Sequence, residues 1–307
     1  MNTQFNPVAI YTVTENYSGV RLDNCLISKM KGLPRSRIYS IIRKGEVRVN
    51  KSRCKPSLKL RIGDEVRIPP YTAELKVTKN AEDKFKNKLK DSFIVEDKSF
   101  IILNKPVGMA SHGGSGISLG IIETIRQIDR RYKGAQLVHR LDKDTSGCLV
   151  VALKKTMLRE FHKEIRESQV EKNYLAVVKG KWPKEITKVE VGLSKDRLKS
   201  GEREVQVNSK GKNSISEFEV LSNKEKLSLV KCRIITGRTH QIRVHATYSG
   251  HPIVGDKKYG DKDLNKSLKL DINRMMLHAH EIKFHNLGIE ASTKIPNVFT
   301  KLMDKYE

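Results

Sequence analysis

Apolar positions recur with two periods along this chain, and the switches between them mark its elements. Ala9-Ile10-Tyr11-Thr12-Val13 alternates as a short strand does. Val20, Leu22, Leu26, Ile27 and Met30 then repeat at helical spacing, and Gly32 followed by Pro34 predicts the end of one helix and the start of another. Ile38, Ile41 and Ile42 mark the inner face of that second helix, which Gly45 ends. Charged and apolar residues alternate over 46–50 and 64–69, predicting two strands, with Gly63 turning the chain into the second.

Residues 79–92 are almost wholly polar. They predict a linker over 81–92, either a flexible connection or a short exposed helix, between an N-terminal unit at 1–80 (core 18–70) and a larger unit at 93–307. Beyond it, Phe93-Ile94-Val95-Glu96 and the run from Phe100 to Pro106 read as strands, as does the run from Lys172 to Gly180. Cys148-Leu149-Val150-Val151-Ala152-Leu153 is an unbroken apolar β-type run. Directly before it stands His139-Arg140-Leu141-Asp142-Lys143-Asp144-Thr145-Ser146-Gly147. This reads as a loop presenting one carboxylate, Asp142, from a rigid strand behind it, the arrangement in which loops carry chemistry.

Charge changes the picture next. Lys and Arg number 60 against 35 Asp and Glu, a formal net charge of +25, and such an excess attracts polyanions over long range. The excess is heaviest in the first ninety residues, which favours a dedicated basic module. Arg35, Arg37, Arg43, Lys44, Arg48, Lys51, Arg53 and Lys55 supply a helix and strand that can lie against phosphates, the alternative being a merely solvated face. The four cysteines form no Cys-x-x-Cys pair and read as reduced thiols. Met1-Asn2-Thr3-Gln4-Phe5-Asn6-Pro7 is no signal peptide, and no apolar run reaches the roughly 18–20 residues of a membrane span, so a cytoplasmic protein without membrane contact is expected.

Other candidate chemistry is weaker. Ser111-His112-Gly113-Gly114-Ser115-Gly116 brings backbone close to a ligand but lacks the strand–helix context of a nucleotide fingerprint, so no nucleotide cofactor is expected. His240 and His245 are five apart with no intervening Glu, and His278 and His280 alternate on a probable strand, so no metal site is expected. Asp142-Lys143-Asp144-Thr145 departs from the nucleophile loop of aspartate-dependent phosphatases, where the Thr comes one residue later.

Two resemblances draw these segments together. Arg21-Leu22-Asp23, Leu33-Pro34-Arg35-Ser36, residues 43–50 and Gly63-Asp64-Glu65-Val66 resemble the S4-like RNA-binding domain, over about residues 18–70. His139-Arg140-Leu141-Asp142 with Thr145-Ser146-Gly147, the Lys172-x-Tyr174-Leu175-Ala176 strand, Gly237-Arg238-Thr239-His240-Gln241-Ile242-Arg243 and Arg274…Leu277-His278-Ala279 resemble the pseudouridine synthases of the ribosomal-large-subunit type. Together the matches span about residues 18–285. The resemblance implies an α+β architecture: a small S4-like domain, then a catalytic domain with a mixed, largely antiparallel sheet. It implies isomerisation of uridine in large-subunit ribosomal RNA, through base flipping, with neither metal nor cofactor; a monomer is expected.

It also implies Asp142 as the essential residue. A carboxylate there could attack the anomeric carbon, stabilise an oxocarbenium-like state, or take the proton at carbon 2′. Arg238 is expected to pair with Asp142, with Arg243 second or else a phosphate contact. Tyr174 offers a ring on which uracil stacks, Arg140 helps eject the base, Asp144 caps the loop through backbone amides, and His112 lines the pocket. A non-catalytic RNA-binding or ribosome-assembly factor is the alternative, disfavoured because the chain keeps Asp142, Tyr174 and Arg238.

Overall fold

The structure is a computed structural model and describes residues 3–74, 80–113, 119–197, 203–268 and 274–306. They divide into two compact units, at residues 1–79 and 80–307.

The first unit contains β1 (Thr3–Asn6), β2 (Ala9–Thr12), α1 (Leu22–Lys29), α2 (Arg35–Arg43), β3 (Arg48–Val49), β4 (Glu65–Ile68) and β5 (Tyr71–Glu74). β4 pairs antiparallel with both β2 and β3, and β1 pairs with β5. Leu22, Leu26, Met30, Ile38, Ile41 and Ile42, predicted from helical spacing, form its core with Val47 and Val66 of the alternating stretches. Buried Asp23 ties the two helices together: it accepts from Arg21 Nη2 at 2.7 Å, the Tyr39 hydroxyl at 2.9 Å and the Asn24 amide at 2.9 Å. The Arg21 guanidinium holds its carboxyl below the usual carboxylate range. Arg35, Arg37, Lys44, Lys51 and Arg53 are exposed, and half-buried Arg48 donates to the Lys51 carbonyl at 3.4 Å. None of these six pairs with a carboxylate among the described residues.

The second unit begins with α3 (Asp83–Lys90), β6 (Phe93–Glu96), β7 (Phe100–Lys105), α4 (Ile121–Ile128), β8 (Gln136–Leu137), β9 (Ser146–Ala152), α5 (Lys155–Arg166) and β10 (Val170–Lys179). It continues with β11 (Lys188–Arg197), β12 (Arg203–Val207), β13 (Lys212–Asn223), β14 (Leu227–Ile234), α6 (Gln241–Tyr248), α7 (Lys262–Ser267), β15 (Leu277–Phe284), β16 (Ile289–Ser292) and α8 (Asn297–Lys305). One sheet runs β12-β11-β13-β14-β10-β15-β9-β7-β6, with β16 on β15 and β8 on β9. β15 and β9 pair parallel and the other neighbours antiparallel, so the mixed, largely antiparallel sheet of the expectation is what forms.

β9 explains its own unbroken apolar run: all seven residues are buried, because the sheet is covered on both faces there. Leu149 and Val151 join the main core, whereas Cys148, Val150 and Ala152 pack with Phe161 of α5. The expected linker over 81–92 is not one. Ala81 donates to the Gln127 side chain of α4 at 2.8 Å, and Leu89 of α3 is buried in the main core, with Phe85 half-buried one turn before it. Two apolar residues four apart suffice to dock a helix whose other positions are polar.

Candidate active site

The loop between β8 and β9 carries the conspicuous carboxylate, and three fastenings fix its shape. At its exit Gly147 has φ +110°, and a Cβ there would lie 2.1 Å from the Ala279 carbonyl oxygen. Only glycine lets β9 run this close beside β15, in the register that pairs Ser146 with His278 and Gly147 with Ala279. Ser146 Oγ accepts from Arg274 Nη2 at 2.8 Å and lies 2.8 Å from His278 Nδ1, while His278 Nε2 reaches Thr293 Oγ1 at 2.6 Å. At its entry Ser111 Oγ donates to the Leu141 carbonyl at 2.8 Å and accepts from the Leu141 amide at 3.1 Å.

In the middle stands Lys105, a fully buried ammonium at the end of β7. Its three hydrogens serve the carbonyls of Pro106, Met109 and Lys143 at 3.0, 2.7 and 2.9 Å. Burial pulls it down to about 7, against the nearby charges of Asp144 and Asp142. His139 holds the start of the loop by accepting the Val150 amide at Nε2, 3.2 Å away. Burial lowers this imidazole to about 3, consistent with a neutral ring that can accept.

Asp142 meets α6. Arg243, in the first turn of that helix, donates from Nη1 to Asp142 Oδ2 at 2.9 Å. Its other edge grips Asp256 bidentately, Nε to Oδ2 at 2.7 Å and Nη2 to Oδ1 at 2.9 Å. Asp256 also accepts the Lys258 and Tyr259 amides. Burial opposes the Arg243 charge, but the two carboxylates outweigh it and raise the guanidinium above its usual range. His240, the residue before α6, sits in the left-handed region at φ 54°, which brings Nε2 to 3.6 Å from Asp142 Oδ2 and Nδ1 to 2.9 Å from the Tyr259 hydroxyl. Burial lowers the His240 imidazole, opposed by Asp142. Asp142 Oδ1 takes no hydrogen bond among the described residues.

The expected pairing of Arg238 with Asp142 is therefore corrected: Arg243 is the partner. Arg238 lies in the loop ahead of α6, exposed, and donates to the Asn213 carbonyl at 3.1 Å. Asp144 also departs from expectation; it is exposed and accepts no amide among the described residues. The Thr145 amide to the Asp142 carbonyl at 3.2 Å and the Lys105 ammonium shape the turn in its place.

Asp142 opens into a cavity of about 1400 Å³ lined also by Arg140, Tyr174, Arg238, His240 and Leu277. Its volume exceeds the range of roughly 300–1,000 Å³ usual for small ligands, which suits a stretch of polymer. Tyr174 of β10 is 8 % exposed; burial, and next the charge of Asp142, push its hydroxyl up, and that hydroxyl has no partner among the described residues. The Arg140 guanidinium is exposed and equally unengaged. An adjoining cavity of about 390 Å³ shares Asp142, Arg140, His240 and Arg243, and His112 lines it, its Nδ1 donating to the Gly113 carbonyl at 2.6 Å. Of the expected glycine-rich loop, residues 114–116 lie outside the described residues.

Sequence reasoning missed Asp256, His240, Tyr259 and Lys105 as parts of this site. Asp256 and Tyr259 stand in the segment 251–260, whose glycines and acid carry no signal of a partner thirteen residues earlier. A lysine closing the apolar run of β7 is the one visible hint for Lys105. Among the described residues no group of three or more His, Cys, Asp or Glu could hold a metal ion, and no helix is long and apolar enough to cross a membrane.

A carboxylate on a rigid loop, held by an arginine from a second motif and facing a buried tyrosine in a polymer-sized cavity, is a site for chemistry on a strand of nucleic acid. Residues 99–248 match the model of the RNA pseudouridylate synthase family, and residues 20–66 that of the S4 domain. The chain is 47% identical over 287 residues to ribosomal large subunit pseudouridine synthase C of Haemophilus influenzae, covering 91% of this chain and 88% of that one. It is 45% identical over 297 residues to the protein of the same name from Escherichia coli, covering 94% and 92%. The structure of human RNA pseudouridylate synthase domain containing 4 superposes with a TM-score of 0.60 at 26% identity, covering 73% of this chain and 96% of that one. The chain belongs to the RNA pseudouridylate synthase family and, as such, is an isomerase.

Proposed function

We propose that this protein converts uridines of large-subunit ribosomal RNA to pseudouridine, with Asp142 as the group that starts the reaction. In this isomerisation the N1–C1′ bond breaks, the freed uracil turns, and C5 bonds to C1′; C5 gives up its proton and N1 gains one. The relatives' names support the substrate class. The observation that carries the role of Asp142 is the unequal engagement of its oxygens. Oδ2 is taken by Arg243 at 2.9 Å, whereas Oδ1 accepts nothing among the described residues and is left for the sugar. Both attack on C1′ and removal of the 2′ proton use that same oxygen, and either is served by a guanidinium already in place when charge shifts.

The target base has to leave its stack to reach a carboxylate in this cavity, at a cost of a few kcal/mol. Stacking on Tyr174 returns roughly 1–3 kcal/mol, and the unengaged Arg140 guanidinium is available to take the vacated place. Exposed Arg35, Arg37, Lys44, Lys51 and Arg53, with Arg48, add phosphate contacts from the S4 unit.

The test is tritium release from ribosomal RNA labelled at uridine C5, with modified sites mapped by carbodiimide-blocked primer extension. Asp142→Asn is expected to release none and to bind RNA within about twofold of wild type. Continued pseudouridine formation by that variant would overturn the role of Asp142. A gene deletion that leaves every large-subunit pseudouridine in place would overturn the substrate.

A further inference from the structure

Lys172 is a charge that none of the described residues satisfies. It stands on β10, half-buried, and lines the cavity that also holds Asp142 and Tyr174. Its ammonium makes no hydrogen bond and no ion pair among the described residues. The carboxylates nearest to it along the strand and across it are occupied elsewhere. Glu171 accepts from Asn173 at 2.8 Å, and Glu281 from Asn173 at 2.7 Å and Lys283 at 3.2 Å. Burial alone acts on the Lys172 ammonium, lowering it from its ordinary value. A partly desolvated cation without a partner costs the empty protein free energy, and such groups are kept where a ligand supplies the missing charge.

The cavity around it has the matching sign. Arg140, Arg166, Lys195, Arg233 and Arg238 line it with Lys172, and among its described lining residues Asp142 is the one acid, already paired with Arg243. A neutral uracil carbonyl would leave the Lys172 charge uncompensated, whereas an RNA strand brings one anion per nucleotide. Lys172 and Tyr174 are two residues apart on an extended strand, about 6.6 Å along it. A nucleotide whose base lies on Tyr174 therefore has backbone phosphates within reach.

Resting on the RNA-modifying function proposed above, we propose that Lys172 binds a backbone phosphate of the substrate strand beside the target uridine. It is a binding residue that sets the strand's register in the cavity, distinct from the basic residues of the S4 unit.

The experiment uses the full chain and an RNA oligonucleotide spanning one mapped target uridine. Lys172→Met keeps the length of the side chain and removes the charge. It is expected to weaken binding roughly tenfold, as the loss of a charge-assisted contact does. The slope of log Kd against log salt is expected to become shallower by about 0.7, one single-strand phosphate. Lys172→Arg should keep the slope. Methylphosphonate placed at each phosphate in turn should reveal one position that weakens wild type and leaves Lys172→Met unaffected. Removing an unpaired buried charge should also leave the RNA-free Tm unchanged or higher. An unchanged slope overturns the proposal: with kcat reduced, Lys172 contacts the base; with Tm reduced, it is structural. Absence of any methylphosphonate position specific to Lys172 overturns it too. If wild-type protein does not modify the oligonucleotide, the function itself fails and the inference with it.

Discussion

Asp256 and Asp142 share the Arg243 guanidinium, which makes Asp256→Asn a sharp test of how the site is held. The wild-type carboxylate presents both oxygens to Nε and Nη2 of Arg243 and is 1% exposed at its side chain. Asparagine keeps the shape but turns one acceptor into an NH2 that faces a guanidinium N–H, donor against donor. Removing one partner of a buried ion pair typically costs about 3–5 kcal/mol. Arg243 keeps Asp142 as a second carboxylate, and its side chain is 11% exposed, so the low end applies, about 3 kcal/mol. For a unit the size of residues 80–307, each kcal/mol shifts Tm by roughly 2–4 °C, which gives a drop of about 6–12 °C.

Turnover should suffer separately. A guanidinium released on one side no longer fixes Asp142, and a displacement of about 1 Å at a reacting group costs on the order of 10²-fold in rate. RNA affinity should not fall, because the change removes a negative charge. Asp256 adds a pH signature: burial works to raise its carboxyl, but Arg243 and the two amides outweigh this and hold it below the ordinary carboxylate range. A carboxyl depressed in the folded state stabilises fully above its unfolded pKa and loses that contribution as pH falls through the folded one. The stability gap between wild type and variant should therefore be full from pH 5 to 8 and close below about pH 4. Calorimetry across pH and single-turnover tritium release measure both arms. A Tm within about 2 °C of wild type would refute the energetic argument; a large drop in Tm with kcat intact would refute the positioning argument.

Three further outcomes follow from the same geometry. Gly147→Ala places a Cβ 2.1 Å from a backbone oxygen at φ +110°, so urea denaturation should show a loss above about 3 kcal/mol, and a loss under 1 kcal/mol would mean β9 and β15 separate easily. His139, His245 and His278 are lowered by burial to about 3, 4 and 3, so each binds its proton in the unfolded chain first. Stability should rise with pH from about 4 to 6.5, by up to about 4 kcal/mol per unit, and His245→Gln should flatten this by about a third; equal stability at pH 5 and 7 would contradict it. Replacing exposed Arg35, Arg37 and Lys44 by Gln should make the salt dependence of RNA binding shallower by up to about 0.7 each without changing Tm, and an unaltered slope would remove that surface from the RNA contact.

What could be read without the structure, and what could not, follows from the distance over which each residue acts. Asp142 was legible because its whole context is local: a polar turn, Gly147 and an apolar strand lie within a dozen residues. The sheet's mixed character was legible only through family resemblance, because pairing of β9 with β15 joins residues about 130 apart. The choice between Arg238 and Arg243 turned on where a helix begins. The stretch 237–245 is polar but for Ile242 and Val244, too few apolar positions to mark the start of α6, which His240 sets by taking a left-handed conformation. Once Gln241 opens the helix, Arg243 falls in its first turn at the loop, and Arg238 is left outside on a carbonyl. The same reasoning separates Asp256 from Asp142. A carboxylate that acts on a substrate announces itself in a local motif, whereas one that acts on the arginine beside it is visible only when two distant segments are seen to share that arginine. The active carboxylate is thus the part of the site that sequence finds first, and the residues that fix its geometry are the part it finds last.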